Sequence, residues 1–120
     1  MEYGFDFEMY GTIFKNCFIE TSSYKNGNLQ LSLYGLDPVI GQISHFADIT
    51  KEPYSIKLKS NEIIVNNHFE PTLIAQLNEL GIFKEHTRNC ILDDVFYPIY
   101  TVNFTKIKEN GYYFQELVVA

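Results

Sequence analysis

Apolar and polar positions alternate strictly over Phe5-Asp6-Phe7-Glu8-Met9, the period of a half-buried strand. Gly11 marks a turn, and residues 12–20 are rich in β-branched and aromatic side chains, which predicts a second strand. Asn26-Gly27 is a hairpin signal. Beyond it Leu29, Leu31 and Leu33 share one face of a third strand. Gly35, Asp37 and Pro38 break the pattern. Residues 39–46 read as a strand with Gly41 as a bulge, and residues 56–59 with 62–65 as a hairpin around Ser60-Asn61.

A different period governs the next stretch. Leu73, Ile74, Leu77 and Leu80 fall on one stripe of a helix, predicted over about residues 69–80. Pro71 suits its first turn, where a missing N–H costs nothing, and Gly81 suits the left-handed residue that ends a helix. Residues 84–94 read as a polar connection interrupted by Cys90-Ile91-Leu92. Residues 95–107 read as a strand carrying Pro98, and Asn110-Gly111 as a turn into a last strand over 112–119. The pattern predicts an α+β domain: a single curved antiparallel sheet of about six to eight strands with one packed helix. A length of 120 residues without a linker or repeat predicts a single domain over residues 1–120.

Charge then narrows the partners. Fifteen acidic residues against nine basic ones leave a net charge of −6, and Arg88 is the single arginine. Nucleic-acid binders gain affinity by neutralising phosphates, so direct nucleic-acid binding is not expected. No apolar run approaches the ~20 residues of a membrane span, so no membrane role is expected. The N-terminal residues lack the basic and apolar regions of a secretory signal, which predicts a cytoplasmic location and free thiols at Cys17 and Cys90.

Reactive constellations are sparse. His45, His68, His86, Cys17 and Cys90 offer no pair at a spacing such as H-x3-H or C-x2-C; His45-x2-Asp48 comes nearest. There is no Gly-rich phosphate loop and no G-x-S-x-G elbow. Asp93 and Asp94 are neighbours, and neighbours in a strand point to opposite faces, so they read as a solvated turn rather than a proton-sharing dyad. No catalytic residue, metal or cofactor is expected.

Tyrosine points elsewhere. Nine tyrosines are present, and the side chain is enriched at interface hot spots because it covers much area at little entropic cost. Tyr10, Tyr24, Tyr34, Tyr54 and Tyr97, with Asp93 and Asp94, are the candidate protein-binding residues. The expected partner is a host protein or protein complex. A strand at the sheet edge is a candidate for homodimer pairing. Two alternatives remain: a small ligand-binding domain or enzyme with a pocket under the helix near His45, His68 and Cys90, and a self-associating structural protein.

The order of several motifs resembles a known family. The run from Tyr24-Lys25-Asn26-Gly27-Asn28 through Leu29-Gln30-Leu31-Ser32-Leu33-Tyr34 is followed by Asp37-Pro38, Asn66-Asn67, Leu80-Gly81 and Tyr97-Pro98-Ile99-Tyr100. Together, over residues 10–104, they look like "domain of unknown function 4313". The family's acidic-Pro turn and its T-V-N strand correspond here to Asp37-Pro38 and to the divergent Ile43-Ser44-His45. Its members occur mainly on conjugative and phage-like elements of Gram-positive and gut bacteria. The family has no assigned catalytic residues, so none carries over. The resemblance implies an accessory or inhibitor protein of a phage or mobile element, of the kind that blocks host defence as anti-CRISPR proteins do.

Overall fold

A computed structural model describes residues 4–111. Eight strands and two short helices follow in the order β1 (Phe5–Met9), β2 (Thr12–Ser23), β3 (Leu29–Asp37), β4 (Gln42–Asp48), β5 (Thr50–Lys51), β6 (Glu62–Val65), α1 (Leu73–Glu79), β7 (Phe83–Leu92), β8 (Val95–Val102) and α2 (Phe104–Glu109). The strands form two four-stranded antiparallel sheets, ordered β1-β2-β3-β4 and β5-β6-β8-β7. The single sheet with one packed helix expected from the sequence is therefore corrected to two sheets and two helices. The join lies at Ile49, whose N–H donates to the Leu31 carbonyl at 2.9 Å while its own carbonyl accepts from Asn66 N–H at 2.8 Å. One residue thus ties β3 of the first sheet to the exit of β6 in the second.

The main core lies between the sheets. Phe5, Phe7, Met9, Cys17, Ile19, Leu31 and Leu33 come from the first, and Ile63, Val65, Phe83 and Val102 from the second. Leu73 and Leu77 of α1, Ile107 of α2 and the connecting residues Ile49 and Ile82 complete it. Alternation in β1 sends its three apolar side chains inward and Asp6 and Glu8 outward. The other face of the second sheet is also covered: Ile64, Cys90, Tyr97 and Ile99 form a smaller cluster under Ile56, Leu58 and Leu92. The expected hairpin of residues 56–59 with 62–65 is corrected here, because residues 56–59 form no strand. They cover an apolar face, and covering needs side chains rather than ladder bonds.

The helix expected over about residues 69–80 is present in shortened form as α1. Its end is a Schellman turn: Gly81 has φ +75°, Gly81 N–H donates to the Asn78 carbonyl at 2.9 Å, and Ile82 N–H donates to the Leu77 carbonyl at 3.1 Å. Three further boundaries move. Residues 84–94 are largely strand β7, hidden from pattern reading because Lys84 to Asn89 are all exposed. The strand expected over 95–107 stops at Val102, where Asn103 Oδ1 accepts from Lys106 N–H at 3.3 Å and caps α2. The strand expected over 39–46 begins only at Gln42. The last strand expected over 112–119 lies outside the described residues; within them, Ile19 N–H receives the chain leaving α2 through the Asn110 carbonyl at 2.7 Å.

Candidate functional site

The candidate residues chosen from the sequence fall at separate places. Tyr10 is exposed in the two-residue turn between β1 and β2, and its N–H is held by Glu70 Oε1 at 3.1 Å. Tyr24 is half-buried, its hydroxyl 2.8 Å from Thr50 Oγ1; burial, with Asp48, Glu52 and Tyr54 nearby, raises its pKa. Tyr54 is exposed. Tyr34 lies on the outer face of the first sheet, stacked on Phe18 and edge-on to His45. Asp93 and Asp94 form the exposed β7–β8 turn, both with positive φ. Tyr97 is buried in the smaller cluster, beneath Lys51 and against the edge of His68.

Titratable groups take structural posts. Burial and the nearby Asp6 push the Cys17 thiol up to about 12, and burial raises Cys90 as well. Neither thiol has the lowered pKa of an activated nucleophile. His45, His68 and Cys90 do not surround one pocket: His45 lies on the first sheet, whereas His68 and Cys90 belong to the surroundings of Tyr97 on the second. His45 Nε2 is 3.0 Å from Asp48 Oδ1, which also accepts from Ser32 Oγ at 3.3 Å. The acid stands between the other two groups, whereas a hydrolytic triad needs the imidazole in the middle. Among the described residues no group of three or more His, Cys, Asp or Glu side chains could hold a metal ion. No helix among them is long and apolar enough to cross a membrane.

Among the described residues, Glu62 is the buried carboxylate that takes part in an ion pair. Its side chain is 3% exposed, against 45% for Arg88, whose Nη1 donates to Oε2 at 2.7 Å. Lys59 N–H donates to Oε1 at 2.9 Å, and the Thr87 hydroxyl donates to Oε2 at 3.3 Å. Burial pushes this carboxyl up, but the Lys59 N–H, Arg88 and Thr87 outweigh it and hold the pKa below the usual value. Arg88 Nη2 also donates to the Lys57 carbonyl at 2.9 Å, so the group ties the covering segment to the sheet.

The surface feature that sequence reading missed is the β3–β4 tip. Asp37 Oδ1 accepts from Val39 N–H at 2.8 Å, and the Asp37 carbonyl accepts from Gly41 N–H at 2.8 Å. These bonds hold the turn so that Val39, Ile40 and the nearby Ile43 are 89%, 58% and 51% exposed. Ile43 pairs with Leu36 across the strands, next to the Tyr34–His45 pair. The signal in the sequence is Asp37-Pro38 followed by Gly41, a turn that isolates two apolar residues from any strand. A second exposed apolar pair, Ile91 and Phe96, faces across the β7–β8 hairpin. No protein-family model, curated protein or solved structure matches the chain.

Proposed function

We propose that the protein is a non-enzymatic, cytoplasmic binding protein that acts by docking on a host protein or complex. In this reading it is an accessory or inhibitor protein of a phage or mobile element, anti-CRISPR-like in mode of action. The observation that carries the binding role is the apolar tip of Val39, Ile40 and Ile43 on a turn pinned by Asp37. Single exposed apolar residues are ordinary, but three together on one pinned hairpin form an anchor. Because the turn is ordered before binding, little conformational entropy is lost on docking. The mobile-element setting is supported by the family resemblance alone.

The test compares the wild type with Val39→Asp/Ile40→Asp in affinity capture from bacterial lysate, followed by titration of the purified partner. One dominant partner is expected with the wild type, bound at least 30-fold less tightly by the variant, the equivalent of about 2 kcal/mol at a hot spot. Identical retention by both proteins, or turnover of a substrate by the purified chain, overturns the reading.

A further inference from the structure

The two sheets have four edge strands, and three of them are closed in different ways. The edge of β1 is occupied by side chains of the α1 region: Glu8 N–H donates to Gln76 Oε1 and Gln76 Nε2 donates to the Glu8 carbonyl, both at 2.8 Å. Glu70 takes the N–H of Tyr10 just beyond. A carboxamide thus imitates the two ladder bonds of a neighbouring strand. β5 is only two residues long. β7 is interrupted by two register shifts and carries Lys84, Glu85, His86 and Arg88. Bulges, brevity and charge are the devices that keep an edge from pairing with another chain.

β4 has few of them. It is seven residues long, without Lys, Arg or Pro, and its one irregularity is the extra residue Phe46. Phe46 turns inward, over Gly35 and against Phe14. Among the described residues nothing but β3 pairs with the backbone of residues 42–47; only at the strand's end does Asn66 Nδ2 donate to the Asp48 carbonyl, at 3.0 Å. The hairpin that ends in this edge holds Asp37 and Asp48 and no Lys or Arg between residues 29 and 50. Its exposed apolar side chains, Ile43 with Val39 and Ile40, stand at the same end.

We infer that β4 is a strand-addition site, which takes an extended, basic segment of a partner protein as a fifth strand of the first sheet. Main-chain bonds along residues 42–47 supply affinity, and alternate apolar side chains of the segment meet Ile43 and the tip. Lysines or arginines between them answer the acidic hairpin. A second copy of this chain fits worse, because it brings the same aspartates and a net charge of −6 to the contact. The inference rests on the binding role proposed above and specifies its chemistry.

The probe is an end-capped nine-residue peptide of alternating lysine and valine, titrated into the full chain and followed by amide NMR shifts and hydrogen exchange. Shifts and new protection are expected among the amides of residues 42–47. Ile43→Lys, at an exposed site, is expected to weaken binding at least tenfold. Glu85→Lys, on the edge of β7, is expected to leave it unchanged although it alters net charge more. The same peptide N-methylated at every residue is expected not to bind.

Shifts centred on β7, equal binding of the methylated peptide, or loss with Glu85→Lys equal to that with Ile43→Lys overturns the inference. So does complete protection of the β4 edge in the free protein, or dimerisation through it. If a natural partner is lost with Val39→Asp/Ile40→Asp while residues 42–47 stay unprotected in its complex, strand addition fails and the binding role stands.

Discussion

Replacing Arg88 with Met tests whether Glu62 is a structural anchor. Methionine keeps an unbranched apolar stem, and the guanidinium is lost. Glu62 then retains Lys59 N–H at 2.9 Å and the Thr87 hydroxyl at 3.3 Å, and loses Arg88, whose bond to the Lys57 carbonyl goes with it. A hydrogen bond to a charged group contributes about 1.5–3 kcal/mol. Because Arg88 is 45% exposed, water screens the pair and the lower end applies. Leaving a carboxylate whose side chain is only 3% exposed short of a partner adds to this. The expected loss is about 2–3 kcal/mol at pH 7, a fall in Tm of roughly 8–12 °C for a domain of this size.

The pH dependence has a definite sign. Folding lowers the Glu62 pKa, so its ionised form contributes stability above the unfolded carboxylate value, and that contribution is lost as pH falls through the folded value. The gap between wild type and Arg88→Met is therefore widest near neutrality and narrows below about pH 4. Urea unfolding from pH 7 downward, followed by circular dichroism, measures it. A gap under 0.5 kcal/mol at pH 7 (order of the ordinary surface effect) refutes the anchor role. So does a gap that stays constant as the carboxyl protonates.

Three further outcomes follow from local geometry. Gly35→Ala would place a Cβ 2.6 Å from the Phe46 ring and 2.9 Å from Cys17 Sγ, so it should destabilise by about 1–3 kcal/mol in denaturant melts, with partial rescue by Phe46→Leu. Asp93→Asn/Asp94→Gly suits a two-residue turn in which both residues have positive φ, and should raise stability by about 1 kcal/mol; no rise in Tm counts against that turn geometry. With Cys17 pushed up to about 12 and Cys90 also raised, a thiol reagent at pH 8 should label the native protein only as fast as it opens, and the rate should climb with urea.

The local features of this protein could be read directly from its residues. The stripe Leu73, Leu77, Leu80 with Gly81 behind it specifies α1 and its Schellman end, because both depend on residues within two turns of one another. Asn26-Gly27 likewise closes its turn alone, Asn26 Oδ1 accepting from Asn28 N–H at 3.0 Å. Alternation placed β1 for the same reason.

What needed the tertiary fold was everything set by a distant partner. β7 is a strand only because β8 pairs with it; its exposed run from Lys84 to Asn89 carries no periodic signal. Residues 56–59 have strand-like composition, yet they cover a sheet rather than extend one. Whether eight strands close as one sheet or two turns on Ile49, a residue whose ladder bonds reach Leu31 and Asn66. The candidate surface was hidden on the same ground. Hydropathy reports how apolar Val39, Ile40 and Ile43 are, but their exposure, and the edge of β4 that no other described strand covers, depend on which other chain segments reach that face.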